Sequence, residues 1–427
     1  MNPVAPVGTI RLSAAVSGHP DAVTAASQVC ARVGEELDGG VTDLAFAFVS
    51  SRHVGAMEAI GAVIRRDLRT RCLVGVSAES VVGGAVELER VPGIALLGAR
   101  LPGVTLAPFT AHDLQPFDDE TPAGIERLGR AIGAGDDLRA AFLFVDPFTV
   151  PMFGLLPALN RSRSRRPDGS GIGAIIGGFA SAGSEPGQNA LLLDDAVHRA
   201  GAVGVSVRGP VTVDTVVSQG CRGFGPNLVV TGARRNIMLT LGGKPALAAL
   251  REAVEELDEH DRPLLQKGLF IGRVINEYKG RFGRDDYLIR NVTGVDETSG
   301  GVAVADFLRV GQTIRFHVRD AATAHEDLAM LLDAQQLKEP PAGGLLFTCN
   351  GRGTRLFDRP HHDAAAIARA FRPSTSGETL AKPGEEINAI APSIPLAGFF
   401  AAGEIGPVGD ESFVHGHTAC LALFRSA

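Results

Sequence analysis

Apolar and polar residues follow the same order in three separate stretches of the chain. Each stretch opens with an apolar run, passes through a polar turn and a segment in which apolar residues have helical spacing, and closes with a second apolar run. The opening runs are residues 44–49, 142–145 and 345–348. The closing runs are residues 72–76, residues 174–176 and the apolar residues that lead into Gly398. This order predicts a strand, a helix and a second strand in each stretch.

A further apolar strand is predicted after each stretch, at residues 94–99, 202–207 and 419–424. A helix that joins two neighbouring strands is the crossover unit of parallel sheets. Because repeated units of this kind build sheets with helices packed on them, we predict an α/β protein. The expected architecture has two related lobes with mixed β-sheets covered by helices.

The pattern changes between the second and third repeats. Residues 287–292, 302–304 and 313–318 are predicted to be strands, and apolar and polar residues alternate in the last of them. Alternation of this kind is typical of antiparallel strands with one buried face. We place a domain boundary beside the glycines that follow Leu241, so that residues 1–240 and residues 241–427 form the two predicted domains.

Charge and composition exclude several classes of protein. The net charge of the 427-residue chain is -7, whereas a nucleic-acid-binding face needs clustered positive charge. The five cysteines are far apart and form no Cys-x-x-Cys pair, so we predict neither a disulfide framework nor a structural zinc site. No apolar run reaches ~18 residues, and the first residues do not resemble a signal peptide. We therefore expect no membrane insertion and a cytoplasmic location.

Two glycine-rich segments in the last part of the chain carry a family resemblance. Residues 343–353 read GGLLFTCNGRG, and residues 398–409 read GFFAAGEIGPVG. This pair resembles the signature of the C-terminal domain of the FIST family. Weaker similarity to the N-terminal FIST domain lies in residues 75–79, in residues 221–226 and in the LGGKPA segment that follows residue 240. The chain departs from that domain's pattern in the first of these segments, which has an alanine where a glycine is expected before the glutamate.

The resemblance implies a sensory protein that binds a small polar ligand, such as an amino acid or a similar metabolite. It also implies signalling, which we expect to pass through a partner protein in trans. Three alternatives stay open. They are a protein-recruiting scaffold without a ligand, a haem-based nitric oxide sensor and a cysteine-dependent enzyme.

Polar residues at the predicted strand ends are candidates for the ligand site. Open α/β sheets bind ligands where loops diverge beyond the strand ends. Asn350 and Arg352 follow the first strand of the third repeat, and Glu404 follows its second strand. An arginine offers a planar fork of donors to a carboxylate, and a glutamate accepts from an ammonium group. These residues would suit an amino acid. In the alternative interpretation, Arg352 and Glu404 pair with each other and hold two turns in place.

The N-terminal part of the chain offers corresponding candidates. Ser51 and Arg52 follow the first strand of the first repeat, and Ser77 and Glu79 lie where its second strand ends. Their repetition suggests either a pseudo-symmetric site or two copies of one scaffold turn. Arg222 lies in a glycine-flanked loop from which it could reach an anion, although an exposed turn arginine is the alternative.

Three residues are candidates for metal, haem or catalytic chemistry. His415 and His417 would point the same way in an extended segment and could bind a metal or haem iron. No third ligand and no haem-attachment motif accompany them, so a structural role is the alternative. Cys349 is the candidate nucleophile, against a role as a small buried apolar residue. We predict no catalytic centre, no metal and no cofactor, with haem as the alternative.

Overall fold

The computed structural model describes residues 9–117, 121–259, 261–372 and 394–427. These residues form two compact units. The first unit holds residues up to Val217 together with Ala329–Val414 and Ala419–Ala427, and the second holds Ser218–Leu328 and His415–Thr418. Within the described ranges, none of the helices combines the length and the apolar character needed to cross a membrane.

Strands and helices alternate through much of the chain. The strands are β1 (Arg11–Ser17), β2 (Leu44–Ser50), β3 (Cys72–Ala78), β4 (Val81–Gly83), β5 (Val86–Leu88), β6 (Ile94–Arg100), β7 (Thr105–Thr110), β8 (Leu138–Val145), β9 (Ala174–Phe179), β10 (Leu191–Leu193), β11 (Ala196–His198), β12 (Ala202–Arg208), β13 (Val211–Gln219), β14 (Cys221–Arg234), β15 (Ile237–Leu241), β16 (Lys244–Pro245), β17 (Leu269–Val274), β18 (Tyr287–Asp296), β19 (Gly301–Val304), β20 (Thr313–Arg319), β21 (Gly343–Cys349), β22 (Leu396–Ala401), β23 (Glu404–Val408), β24 (Glu411–His415) and β25 (Thr418–Ser426). The α-helices are α1 (Ala22–Glu36), α2 (Met57–Leu68), α3 (Ala111–Leu114), α4 (Pro122–Ala131), α5 (Met152–Ser162), α6 (Ala246–Glu255), α7 (Ala321–Gln336) and α8 (His362–Ala370).

The first unit contains three sheets that are built alike. Their strand orders are β1-β6-β2-β3-β10-β11, β24-β23-β9-β8-β12-β7 and β13-β25-β21-β22-β4-β5. In each sheet, one pair of strands is parallel and is joined through a helix: β2 with β3, β8 with β9, and β21 with β22. The neighbouring pairs β1 with β6, β12 with β8 and β25 with β21 are antiparallel. The predicted α/β fold with mixed sheets and repeated strand-helix-strand units is therefore confirmed.

A shared aromatic core joins the three repeats. Phe48, Phe144 and Phe347 lie on the first strand of each parallel pair, and their ring centroids are 6.0, 6.3 and 5.6 Å apart in the three pairwise combinations. All three are fully buried. Edge-to-face contacts at these distances are favourable beyond the burial of apolar area. The opposite face of the first sheet packs on α1 and α2, so its strands are buried on both faces.

One glycine in each repeat lets the parallel strands approach each other. Gly75, Gly177 and Gly398 each lie one residue before the strand position that pairs with the core phenylalanine. A Cβ atom would lie 3.0, 2.0 and 1.9 Å, respectively, from a carbonyl oxygen of the neighbouring strand. A side chain therefore fits poorly at the first glycine and not at all at the other two, because real Cβ atoms do not come this close to backbone.

Each repeat also contributes a short hairpin to the sheet of another repeat. The β4–β5 hairpin of the first repeat pairs with β22 of the third, and β10 of the second repeat pairs with β3 of the first. The β23–β24 hairpin of the third repeat pairs with β9 of the second. The exchange is cyclic, so each sheet requires residues from two repeats.

The second unit is an antiparallel barrel. Its strand order is β14-β20-β17-β18-β19-β15-β16, and an additional pairing of β14 with β15 closes the sheet on itself. Ile314, Phe316 and Val318, which alternate along β20, point into its core, as the sequence predicted. The domain boundary predicted between residues 240 and 241 concerns the division of the sequence into two family domains, and it stays a prediction. Each compact unit of the structure contains residues from both sides of this boundary.

Gly398→Ala is expected to destabilise the first unit by about 1–3 kcal/mol, because the new methyl group would force two paired strands apart. Gly55→Ala is the matched control, since nothing lies within 4 Å of the position of its Cβ. Denaturant unfolding of both variants measures the difference. Equal unfolding midpoints would show that the strand pair tolerates the methyl group.

Candidate functional site

The parallel strand pairs bring polar turns of different repeats to one end of the first unit. The backbone N–H of Glu79, from the first repeat, donates a 2.9 Å hydrogen bond to the hydroxyl of Ser181 in the second repeat. That hydroxyl in turn donates to the carbonyl of Phe400 in the third repeat. The three repeats therefore meet at their strand ends, where the sequence placed its candidate residues.

A cleft of about 580 Å³ opens at this meeting point. We call it the strand-end cleft, and its lining is mostly polar. It is lined by Ser51, Arg52, Glu79, Arg90, Ser181, Ala182, Gly183, Ser184, Gln188 and Asn350. The structure thus brings together three of the predicted site residues, Ser51, Glu79 and Asn350, from two different repeats.

Arg355 fixes the carboxylate of Glu79 in the cleft. Its Nη1 and Nη2 atoms donate to the two carboxylate oxygens at 2.7 and 2.8 Å. Nη1 also donates to the carbonyl of Asn350 at 2.9 Å. One guanidinium therefore connects two cleft residues from different repeats, and it leaves further lone pairs of the Glu79 carboxylate able to accept from a ligand.

Two arginines give the cleft positive charge. Arg52 is exposed and makes no ion pair within the described part of the chain. Arg90 donates to the hydroxyl of Thr354 at 2.8 Å and lies 3.3 Å from Glu89. Close to them, the side-chain oxygen of Asn350 is buried and has no hydrogen-bond partner among the described residues. The cleft therefore offers donors for an anion and a carboxylate for a cation.

Arg352, two residues after Asn350, is fully buried and does not line the cleft. Its Nε and Nη2 atoms donate to the two carboxylate oxygens of Asp363 at 2.7 and 2.8 Å, and its guanidinium lies 5.3 Å from the ring centroid of Phe357. Burial opposes its charge, but Asp363 and, more weakly, Glu404 hold the pKa of Arg352 above its usual value. The bidentate partner of Arg352 is thus Asp363, a residue that the sequence did not single out, rather than Glu404.

Two carboxyl groups of the same buried network, those of Asp363 and Glu87, have shifted pKa values. Burial opposes ionisation of Asp363, yet Arg352 and His362 hold its pKa well below the usual range. Glu87 accepts from the backbone N–H of Ala364 at 3.0 Å, at the start of α8. Burial, and then the nearby charge of Asp363, raise the pKa of Glu87 to about 8. This shift favours the protonated form of Glu87 at higher pH than for an exposed glutamate.

The remaining predicted ligand residues lie outside the cleft lining. Ser77 is fully buried, and its hydroxyl accepts from the backbone N–H of Ala190 at 2.8 Å, which docks β10 on β3. Glu404 is also fully buried and begins β23. Arg222 belongs to the second unit, where its guanidinium lies 2.6 Å from Asp261 and 3.1 Å from Asp320.

The candidate metal and nucleophile residues have protein partners. The Nε2 atom of His417 lies 3.1 Å from the side-chain oxygen of Asn291, and its ring meets that of Phe270 at 4.4 Å. His415 is buried. Cys349 is also buried, and its sulfur accepts from the N–H of Gly351 at 3.4 Å. Across the described ranges, no group of three or more His, Cys, Asp or Glu side chains is arranged to hold a metal ion.

Several cleft residues were missed by sequence reasoning. Ser181 occupies the position in the second repeat that Glu79 occupies in the first, because both stand three residues beyond the partner of the core phenylalanine. Aligning the repeats by that phenylalanine would have found it. Arg90 reaches the cleft from the end of the β4–β5 hairpin, and no pattern in the sequence indicates this.

Glu87→Gln is expected to flatten the pH dependence of stability between about pH 5 and pH 8. A carboxyl group whose pKa is raised on folding contributes stability that is complete below its unfolded pKa, about 4.3, and is lost as the pH rises through its folded pKa. In the native chain, that folded pKa is about 8. The slope removed is at most about 1.4 kcal/mol per pH unit.

The contribution of Asp363 has the opposite sign and a different window. Because the pKa of Asp363 is lowered on folding, this group stabilises the fold above about pH 3.9. That stabilisation is lost only as the pH falls below this value, so it does not vary between pH 5 and 8. Urea unfolding at a series of pH values checks the slope. Glu36→Gln, which removes a half-exposed carboxylate, is the control. An unchanged slope in Glu87→Gln would contradict the assignment.

Comparisons with known proteins agree with the sequence resemblance. The FIST N domain model matches residues 43–244, and the FIST C domain model matches residues 246–407. An uncharacterized protein of Mycobacterium tuberculosis is 37% identical over 418 residues, which covers 97% of this chain and 100% of the relative. An uncharacterized protein of Mycobacterium bovis is 35% identical over 419 residues, covering 97% of this chain and 99% of the relative.

One solved structure is similar over its whole length, but only weakly. It is described as "Cyanuric acid hydrolase: evolutionary innovation by structural concatenation". It is 9% identical, with a TM-score of 0.32 and coverage of 98% of this chain and 100% of that chain. A likeness at this level supports no conclusion about function. The two domain matches and the full-length relatives show that the chain belongs to the FIST family, whose domains are sensory domains of signal transduction.

Proposed function

We propose that this FIST protein binds a small zwitterionic metabolite, such as an amino acid, in the strand-end cleft. The observation that carries the proposal is the presence of opposite charges in one cleft, with Arg52 and Arg90 in the lining beside Glu79. A guanidinium binds a carboxylate through two parallel hydrogen bonds, and a carboxylate accepts well from an ammonium group. In this proposal, Arg52 and Arg90 bind the ligand carboxylate and Glu79 binds its ammonium group.

The size and polarity of the cleft support a small polar ligand. Its volume of about 580 Å³ falls in the usual range for small-molecule sites.

The predicted candidates divide into two roles under this proposal. Ser51, Glu79 and Asn350 contact the ligand. Arg352 acts indirectly, because its ion pair with Asp363 fixes α8 relative to the turn that holds Asn350. Signalling through a partner protein and a cytoplasmic location belong to the same proposal, and no resident cofactor is required for it.

A thermal-shift screen of amino acids is expected to identify a stabilising ligand. A ligand at 100 times its Kd adds ~2.7 kcal/mol to the stability of the state that binds it. For the best amino acid, the N-acetyl derivative should stabilise less because it lacks the ammonium group, and the α-amide should stabilise less because it lacks the carboxylate. Each modification removes one of the two charged contacts, worth about 1.5–3 kcal/mol.

Two variants assign these contacts to residues. Glu79→Gln should abolish the difference between the amino acid and its N-acetyl derivative, and Arg52→Ala should abolish most of the difference between the acid and the amide. Arg359→Ala, which changes another exposed arginine in the first unit, is the control for loss of positive charge. If no amino acid stabilises the native chain, or if both variants respond as it does, the zwitterion site in this cleft is wrong.

A further inference from the structure

Large apolar side chains are exposed together at one end of the barrel. Tyr278, Phe307 and Val310 are 100%, 62% and 64% exposed, and Val229 is 45% exposed. Single exposed apolar residues are common in folded proteins, but a contiguous group of them marks an interaction site. We call these four residues and the loops that carry them the barrel-end surface.

Hydrogen bonds and strand pairing bring these loops to the same end. Residues 275–286 link β17 to β18, and the N–H of Thr313, the first residue of β20, donates to the carboxylate of Glu277 at 2.7 Å. Val229 pairs with Thr313 across the β14–β20 ladder. The loop that carries Tyr278 and the strand that carries Val229 therefore meet at Thr313.

The loop that carries Phe307 and Val310 belongs to the same end. Residues 305–312 lead from β19 directly into Thr313. Within this loop, the N–H of Gly311 donates to the carbonyl of Val230 at 2.8 Å. The barrel-end surface is therefore formed by three chain segments that backbone pairing holds side by side.

Three exposed arginines lie on the same segments as the apolar side chains or next to them. Arg281 and Arg309 lie on the two loops, and Arg235 is adjacent, since its carbonyl accepts from the N–H of Leu308 at 3.0 Å. All three arginines are exposed. None of them makes an ion pair with another described residue. The same end also carries exposed carboxylates, among them Glu277 and Asp285, so the three arginines add exposed guanidinium donors rather than a net positive charge.

We propose that the barrel-end surface binds an acidic segment of a partner protein that carries aromatic or aliphatic anchor residues. Tyrosine, phenylalanine and arginine are the side chains enriched in protein interfaces, and Tyr and Arg contribute strongly to hot spots. Acidic residues would complement Arg235, Arg281 and Arg309, and this complementarity would speed association and select among partners.

A protein partner explains the surface better than an anionic membrane does. Electrostatic binding to a membrane typically uses four to eight clustered basic residues. Here Lys279 and Arg284, on the same loop as Arg281, are already paired with Asp286 and Glu326, and the net charge of -7 opposes approach to an anionic bilayer. The inference rests on the proposed signalling through a partner, but not on the identity of the ligand in the strand-end cleft.

Selection of short random peptides displayed on phage against the full chain tests the proposal. The selected peptides are expected to combine Asp or Glu with Phe, Trp, Leu or Ile. Their affinity, measured by fluorescence polarisation, should fall at least about tenfold when the double variant Tyr278→Ala/Arg309→Glu replaces the native chain, as for loss of a hot spot. Binding should also weaken with added salt.

The double variant Leu337→Ala/Arg359→Glu is the matched control. It changes an apolar residue that is 89% exposed and an exposed arginine, both in the first unit. It should bind the selected peptides like the native chain. Both double variants should keep the native thermal-shift response to amino acids, which separates failure of this surface from failure of the cleft.

Three results would overturn the proposal. The selected peptides could lack acidic residues, they could bind the Tyr278→Ala/Arg309→Glu variant as tightly as the native chain, or the native chain could sediment with phosphatidylserine vesicles while that variant does not. The last result would assign the barrel-end surface to a membrane instead of a protein.

Discussion

The close approach of two parallel strands in each repeat is the constraint on which the candidate site depends. Gly75, Gly177 and Gly398 provide space at equivalent positions, and in the last two cases a methyl group would lie within about 2 Å of a backbone oxygen. Because both strands of each pair run in the same direction, their carboxyl ends lie at the same edge of the sheet. The contacts among Phe48, Phe144 and Phe347 then hold the three edges together.

A buried ion pair stabilises the part of the site that comes from the third repeat. Arg352 and Asp363 are fully desolvated, and removal of one partner from such a pair typically costs 3–5 kcal/mol because the other charge stays buried. The network also includes Glu87 from the exchanged hairpin of the first repeat, through its hydrogen bond to α8. Loss of ligand binding on substitution of Arg352 would therefore reflect loss of local structure as readily as loss of a contact.

The sequence allowed the strands, the repeats and part of the cleft to be predicted, because these depend on local periodicity. The buried runs of β2, β8 and β21 and the turns after them are visible in the order of residues alone. Asp363 was not found, because its role depends on how α8 packs against the turn at Arg352. The exchange of hairpins was not found either, since strand pairing between repeats leaves no periodic signal. Arg90 reaches the cleft only through that exchange.

The charges that sequence reasoning assigned to Arg352 and Glu404 are provided in the cleft by other residues of the same types. Arg352 and Glu404 follow strands that end in buried surroundings, so their side chains are desolvated, whereas Arg52 and Glu79 lie at the cleft. Strand direction predicts that the turns of one parallel pair lie at the same edge of their sheet, but it does not predict which turns of different repeats meet. The sequence does not predict which side chain of a turn points to solvent, because that depends on the conformation of the turn and on its neighbours.

A sensory protein must bind its ligand more tightly in one conformational state than in another. The contact between Glu79 and Arg355 offers a physical basis for such a difference. Both side chains are partly exposed, at 25% and 43%, and ion pairs of this kind contribute about 0–1 kcal/mol. The contact is bidentate, however, which makes it stronger than most exposed ion pairs. A ligand ammonium group that shares the Glu79 carboxylate with Arg355 would weaken this contact. Because Arg355 also holds the carbonyl of Asn350, ligand occupancy would then affect the turn after β21.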